Sequence, residues 1–196
     1  MSGERGDHAV LSGDSGARSR DALLRAAIGV VERAQTSAVT FAEIASAAGV
    51  DADEASALFP SVDDLLVEAA LHMCREDLRL AAMAEAAPTV SAYAHHFASR
   101  RPFYRAMRVG AVAGKLDARM AEVIGPRIAV QIRTLLGSRI DDAQLDAMTA
   151  EVTAESFVVT NRWIADSSDA EGAEALYVLF EAIVLRRLEE MRTRGA

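Results

Sequence analysis

The chain has 196 residues, a formal charge of −8 and an apolar half, which is enough for one ordinary domain, or two small ones, with a real core. Its single cysteine, Cys74, excludes an internal disulfide and points to a reducing compartment. No apolar run reaches the ~18 residues of a membrane span, and the start MSGERGDHAVLSGDSGARSR lacks the apolar stretch of a secretion signal, so a soluble cytoplasmic protein is expected.

Aromatic residues make up only 5% and alanine dominates, which favours helix. Residues 1–16, rich in Gly, Ser and Asp, read as a flexible tail. In RDALLRAAIGVVERA, Leu23, Leu24, Ala27, Ile28, Val30 and Val31 fall at helical spacing, and Gln35-Thr36-Ser37 ends the run. Three helix starts follow. Thr40-Phe41-Ala42-Glu43 has the form of a capping box, Asp51-Ala52-Asp53-Glu54 repeats it with Asp as the cap, and Ser61-Val62-Asp63-Asp64 does so again. Between the first two lies Ala48-Gly49-Val50, where glycine suits the positive φ of a tight helix-to-helix turn. This is helix-turn-helix grammar, with Phe41, Ile44, Ala45, Ala55, Leu58 and Phe59 as its small core.

Helical periodicity then continues from Ser61 to Pro88 and from Thr89 to Ser99, and Pro102 suits the first turn of the next helix. Leu116 to Leu136 is amphipathic, with Pro126 a kink or break. Two helices close the chain, about 142–165 and 170–192. The last is apolar nearly all round from Ala175 to Leu185, a pattern that asks for cover by a partner subunit.

The stretch LLRAAIGVVERAQTSAVTFAEIASAAGVDADEASALFPSVDDLLVEA resembles the amino-terminal unit of TetR-type transcriptional regulators. RRPFYRAM and ESFVVTNRWIADSS resemble one type of carboxy-terminal domain in that family. The resemblance implies an all-α, TetR-like fold: a helix-turn-helix domain over 17–70, with the motif at about 40–59, and a ligand-binding and dimerisation domain over 71–196. It implies a homodimer through the last two helices, a DNA operator and a small apolar effector. DNA contacts carried over from the family fall on Arg18, Arg20, Thr40, Ala52, Asp53, Ser56, Ala57 and Ser61. The pocket falls on Met83, Tyr93, Phe97, Phe103, Tyr104, Met107, Phe157 and Trp163, with His96 and Asn161 as further polar tips.

The departures from the family fall together. Its recognition helix usually has Gly or Ala, Thr and Tyr, followed soon after by Lys; the aligned positions here are Asp53, Glu54, Ser56 and Val62. Residues 1–74 carry five Arg against twelve acids, and no Lys or Arg occurs between Arg33 and Arg75. Phosphate neutralisation supplies most general DNA affinity, so this stretch lacks its usual source. Capping and the helix dipole account for part of the acidity, at Asp51, Glu54, Asp63 and Asp64. Two functions therefore remain open. One is a ligand-responsive DNA-binding regulator. The other is a TetR-fold sensor or co-regulator with lost or weak DNA binding, whose acidic face meets a basic protein.

Catalytic and metal sites are not expected, and no cofactor is implied. His95 and His96 are adjacent and point about 100° apart on a helix; His72 and Glu76 share a face but have no third ligand nearby. No nucleophile elbow, P-loop, dinucleotide fingerprint or H-E-x-x-H occurs.

Overall fold

The computed structural model describes residues 5–83, 89–166 and 172–194, with side chains for 15–82, 90–166, 172–191 and 193. The first helix, α1 (Arg5–Ala34), begins well before the expected start. Residues 5–16 are its opening turns rather than a tail. The segment contains no proline, and extending a formed helix fixes one residue per hydrogen bond gained, so continuation needs no second nucleus. Within α1, Leu23, Leu24, Ala27, Val30 and Val31 are buried, as their spacing requires.

Next come α2 (Phe41–Ala48) and α3 (Ala52–Leu58), both packed on α1. The long α4 (Val62–Met83) crosses α1 and carries the chain into the second half. There α5 (Thr89–Ser99) and α6 (Arg101–Met107) precede α7 (Val112–Leu136). A single 3₁₀ turn, Gly137–Arg139, leads to α8 (Asp142–Asp166), and α9 (Ala173–Arg194) ends the described chain. No strand occurs among the described residues. The fold is all-α in the expected order, a three-helix unit followed by a larger helical bundle.

One local feature departs from expectation. Pro126 sits inside α7, which runs through it unbroken. Proline removes one ladder hydrogen bond, and packing of α7 against both α4 and α8 holds the helix together across that gap. The turn into α8 is fixed by a reciprocal box in which Gln144 N–H donates to Asp141 Oδ1 at 2.8 Å and Asp141 N–H donates to Gln144 Oε1 at 3.1 Å. Among the described residues no helix is long and apolar enough to cross a membrane.

In the second half, α5 packs on α9, α9 on α8, and α8 on α7. The two halves are tied through α4 and α7. Asp64, in the first turn of α4, is ion-paired with Lys115, and Glu68, one turn on, lies 3.6 Å from Arg119. Both cations belong to the start of α7. The Ser37 hydroxyl also donates to the Val109 carbonyl at 2.7 Å, joining the α1–α2 turn to the segment before α7.

Candidate DNA-facing surface and internal cavity

The helix-turn-helix is assembled by its caps. The Thr40 hydroxyl accepts from Glu43 N–H at 3.3 Å while the Glu43 carboxylate accepts from Thr40 N–H at 2.7 Å, completing the box. The Thr40 hydroxyl, which donates to the same carboxylate, and then the Thr40 N–H hold the Glu43 carboxyl below its ordinary value. Gly49 adopts φ 67°, and Val50 N–H donates back to Ala45 O at 3.0 Å. A Cβ there would meet nothing within 4 Å, so the glycine is required by backbone conformation alone. Asp51 then caps α3, accepting from Asp53 N–H at 2.8 Å and Glu54 N–H at 3.3 Å. Ile44, Ala45, Ala55 and Phe59 are buried beneath the turn.

This leaves Ala52, Asp53, Glu54, Ser56 and Ala57 exposed on α3, the face a recognition helix would present. Asp53 and Glu54 form no ion pair among the described residues. The three hydroxyls that could donate to phosphate donate internally instead. Thr40 gives its proton to the Glu43 carboxylate at 2.8 Å, Ser56 to the Asp53 carbonyl at 2.9 Å, and Ser61 to the Asp64 carboxylate at 2.6 Å. Asp64 is drawn below its ordinary value, chiefly by the Lys115 hydrogen bond and then by Ser61.

Arg20, expected as a phosphate clamp, is engaged within the unit. Its guanidinium lies 4.4 Å from the centroid of the Phe59 ring, donates to the Leu58 carbonyl at 3.3 Å and sits 3.7 Å from Glu68. It therefore closes the end of α3 onto α1 and α4, and its side chain stays 42% exposed. The rigid planar fork of arginine suits that triple task. Arg18 is exposed on α1.

The second half holds a cavity of about 410 Å³ that is partly open to solvent. From α5 it is lined by Val90, Tyr93 and Phe97, and from α7 by Ile124, Ile128, Gln131, Ile132, Thr134 and Leu135. The remaining wall is Val152, Ser156, Phe157 and Thr160 of α8 and Tyr177, Phe180, Glu181 and Val184 of α9. Of the expected pocket residues, Tyr93, Phe97 and Phe157 are on this wall. Phe103, Tyr104 and Met107 are not: they lie fully buried on α6, which is packed against α1, α5 and α8, behind the lining, with the Tyr104 ring 4.9 Å from that of Phe97. Trp163 is also elsewhere, stacked beneath Arg101 with the guanidinium 3.4 Å from its ring centroid. Asn161 donates to Asp117 at 3.0 Å, a carboxylate also held by Arg108 at 2.8 Å. The Met83 side chain lies outside the described residues.

The stripes that sequence reasoning missed are periodic. Ile124, Ile128 and Leu135 recur along one face of α7, and Tyr177, Phe180 and Val184 along one face of α9. Both read equally well as plain core, because periodicity reports which face is buried and not whether a gap remains behind it.

A buried polar chain runs beside the cavity. His96 Nδ1 is 2.8 Å from the Asp77 carboxylate, and Nε2 is 2.6 Å from the Tyr104 hydroxyl. With Nδ1–H donated to Asp77, Nε2 accepts from the Tyr104 hydroxyl. The His96 hydrogen bond is the main cause holding Asp77 below its ordinary value, and Arg100, 3.6 Å away, adds to it. Burial holds the Tyr104 phenol well above its ordinary value and pushes the neighbouring Cys74 thiol up to about 12, which leaves it an inert core group. Among the described residues, no three His, Cys, Asp or Glu side chains gather where they could hold a metal.

No family model and no curated protein matches the chain. Among solved structures it is similar to the crystal structure of a proposed transcriptional regulator from Pseudomonas aeruginosa PAO1. The TM-score is 0.55 at 16% identity, over 84% of this chain and 88% of that one. At this identity the likeness establishes the fold: these helices, in this order, form an architecture also found in that protein.

Proposed function

We propose that the chain is a ligand-responsive transcriptional regulator of the TetR type that works as a homodimer and has little phosphate grip of its own. One observation carries the reading. α7 lines the cavity along its second half and is ion-paired at its start to the first turns of α4, the helix that follows the helix-turn-helix. A ligand that parts α7 from α8 would shift the Lys115–Asp64 and Arg119–Glu68 clamps and with them the three-helix unit. In a dimer, two such units must match half-sites ~34–36 Å apart, so a small rotation is enough to alter binding.

The dimer is supported by the last two helices. Val158 of α8 and Val178 and Leu185 of α9 are 67%, 52% and 59% exposed, and the two α9 residues lie two turns apart on one face. Fluorescence anisotropy of the full chain on fragments from the flanks of its own gene tests the reading. Selective binding over scrambled DNA, weaker than about 1 µM at physiological salt, is expected. If selectivity is absent for a folded dimer, DNA recognition by this chain is ruled out.

A second reading is favoured by the internally committed hydroxyls of Thr40, Ser56 and Ser61 and by the occupied Arg20. In it DNA binding is lost, and the face around Asp53 and Glu54 meets a basic protein. The same titration separates the two, because this reading requires no selective DNA binding at any salt concentration.

A further inference from the structure

The cavity wall is rich in aromatic side chains. The sequence holds only ten aromatic residues, and five of them, Tyr93, Phe97, Phe157, Tyr177 and Phe180, line this one space. Elsewhere the core is mostly aliphatic. An aromatic face is electrostatically negative and attracts a cation once water is excluded.

The charged groups point the same way. Among the described residues, Glu181 is the one carboxylate on the wall, and no Lys, Arg or His lines it. Glu181 is exposed, at the solvent side of the wall, and forms no ion pair among the described residues. Arg127 acts on the Tyr93 hydroxyl from outside the lining, and is itself exposed. An anionic ligand entering here would find a carboxylate on the wall and, among the described lining residues, no cation. A neutral apolar ligand would gain only burial. A lipophilic cation would gain burial, the aromatic faces and Glu181 together.

We propose that the cavity takes a lipophilic organic cation, and that Glu181 with the five aromatic side chains sets this charge preference. The proposal rests on the reading of the cavity as the effector site and gives that effector its chemical class.

The test uses a cation and an anion matched in shape, with a smaller neutral triphenyl compound beside them. Purified full chain is titrated by isothermal calorimetry with tetraphenylphosphonium, with tetraphenylborate and with neutral triphenylphosphine oxide. The cation is expected to bind about tenfold or more tighter than the anion. Glu181→Gln is expected to remove most of that preference and leave the neutral probe unchanged. Glu174→Gln deletes the same charge from an exposed site on α9 outside the lining, and should keep the preference. Equal or tighter binding of the anion overturns the proposal, as does a loss in Glu174→Gln as large as in Glu181→Gln. If the neutral probe binds and the cation is not preferred, the charge assignment alone fails and the regulator reading stands. If none of the three binds, the effector-site reading falls with it. No DNA is present, so a failure of DNA binding leaves this result intact.

Discussion

At the scale of single residues, the helix-turn-helix is specified by a few groups with one task each. Gly49, at φ 67°, is the plainest. Replacing it with Ala should cost about 1 kcal/mol, the penalty for an L-residue in the left-handed region, read as a lowered denaturation midpoint with an unchanged slope. The buried chain of His96, Asp77 and Tyr104 makes a second prediction. Asp77→Ala strips a buried imidazole of its acceptor and should destabilise by about 1–3 kcal/mol. Asp77 is held below its ordinary value in the folded chain, so its stabilisation is present above the unfolded value and lost as pH falls through the folded one. The gap between wild type and variant, measured by urea unfolding, should therefore be full near neutral pH and narrow below about pH 4. A gap that stays constant down to pH 3 would contradict the assigned role. The sequence could not reveal this chain, because Asp77 and His96 lie on different helices and only packing brings them together.

At the scale of elements, the frame was legible and the contents of the frame were not. The caps at Thr40 and Asp51 and the turn at Gly49 were readable because capping is local, settled within four residues. The start of α1 was not, since its first turns hold glycine and serine and are helical only as an extension of a strongly periodic segment. The pocket was half legible for the same kind of reason. Phe97 and Phe103 look alike in sequence, yet one faces a gap between four helices and the other fills the space between α6 and its neighbours. The fate of Arg20 was equally hidden: an arginine at the edge of a DNA-binding unit reads as a phosphate clamp until Phe59, Leu58 and Glu68 are seen to hold it. The exposed face of α3 gives this scale its prediction. The double substitution Asp53→Lys, Glu54→Lys should raise general DNA affinity and steepen its salt dependence by roughly 1–2 in log–log slope per protomer. An unchanged slope would mean that α3 does not approach the DNA backbone.

At the scale of the whole molecule, α7 and α4 join the acidic, exposed face of α3 to the aromatic cavity. The proposed dimer belongs here. Val158→Glu combined with Leu185→Glu places charge on the exposed apolar face of α8 and α9, and should turn a dimer into a folded monomer in sedimentation velocity. Retention of the dimer would put the interface elsewhere. The central claim, that the reader is built with almost no phosphate grip, is tested most directly by the salt dependence of DNA binding. With no Lys or Arg on α2 or α3, and with Arg20 committed inside the unit, the log–log slope of affinity against salt should be about −2 or shallower, with binding no tighter than about 1 µM at physiological salt. A slope of about −5 or steeper, with submicromolar selective binding, would show that phosphates are neutralised after all and would contradict the account.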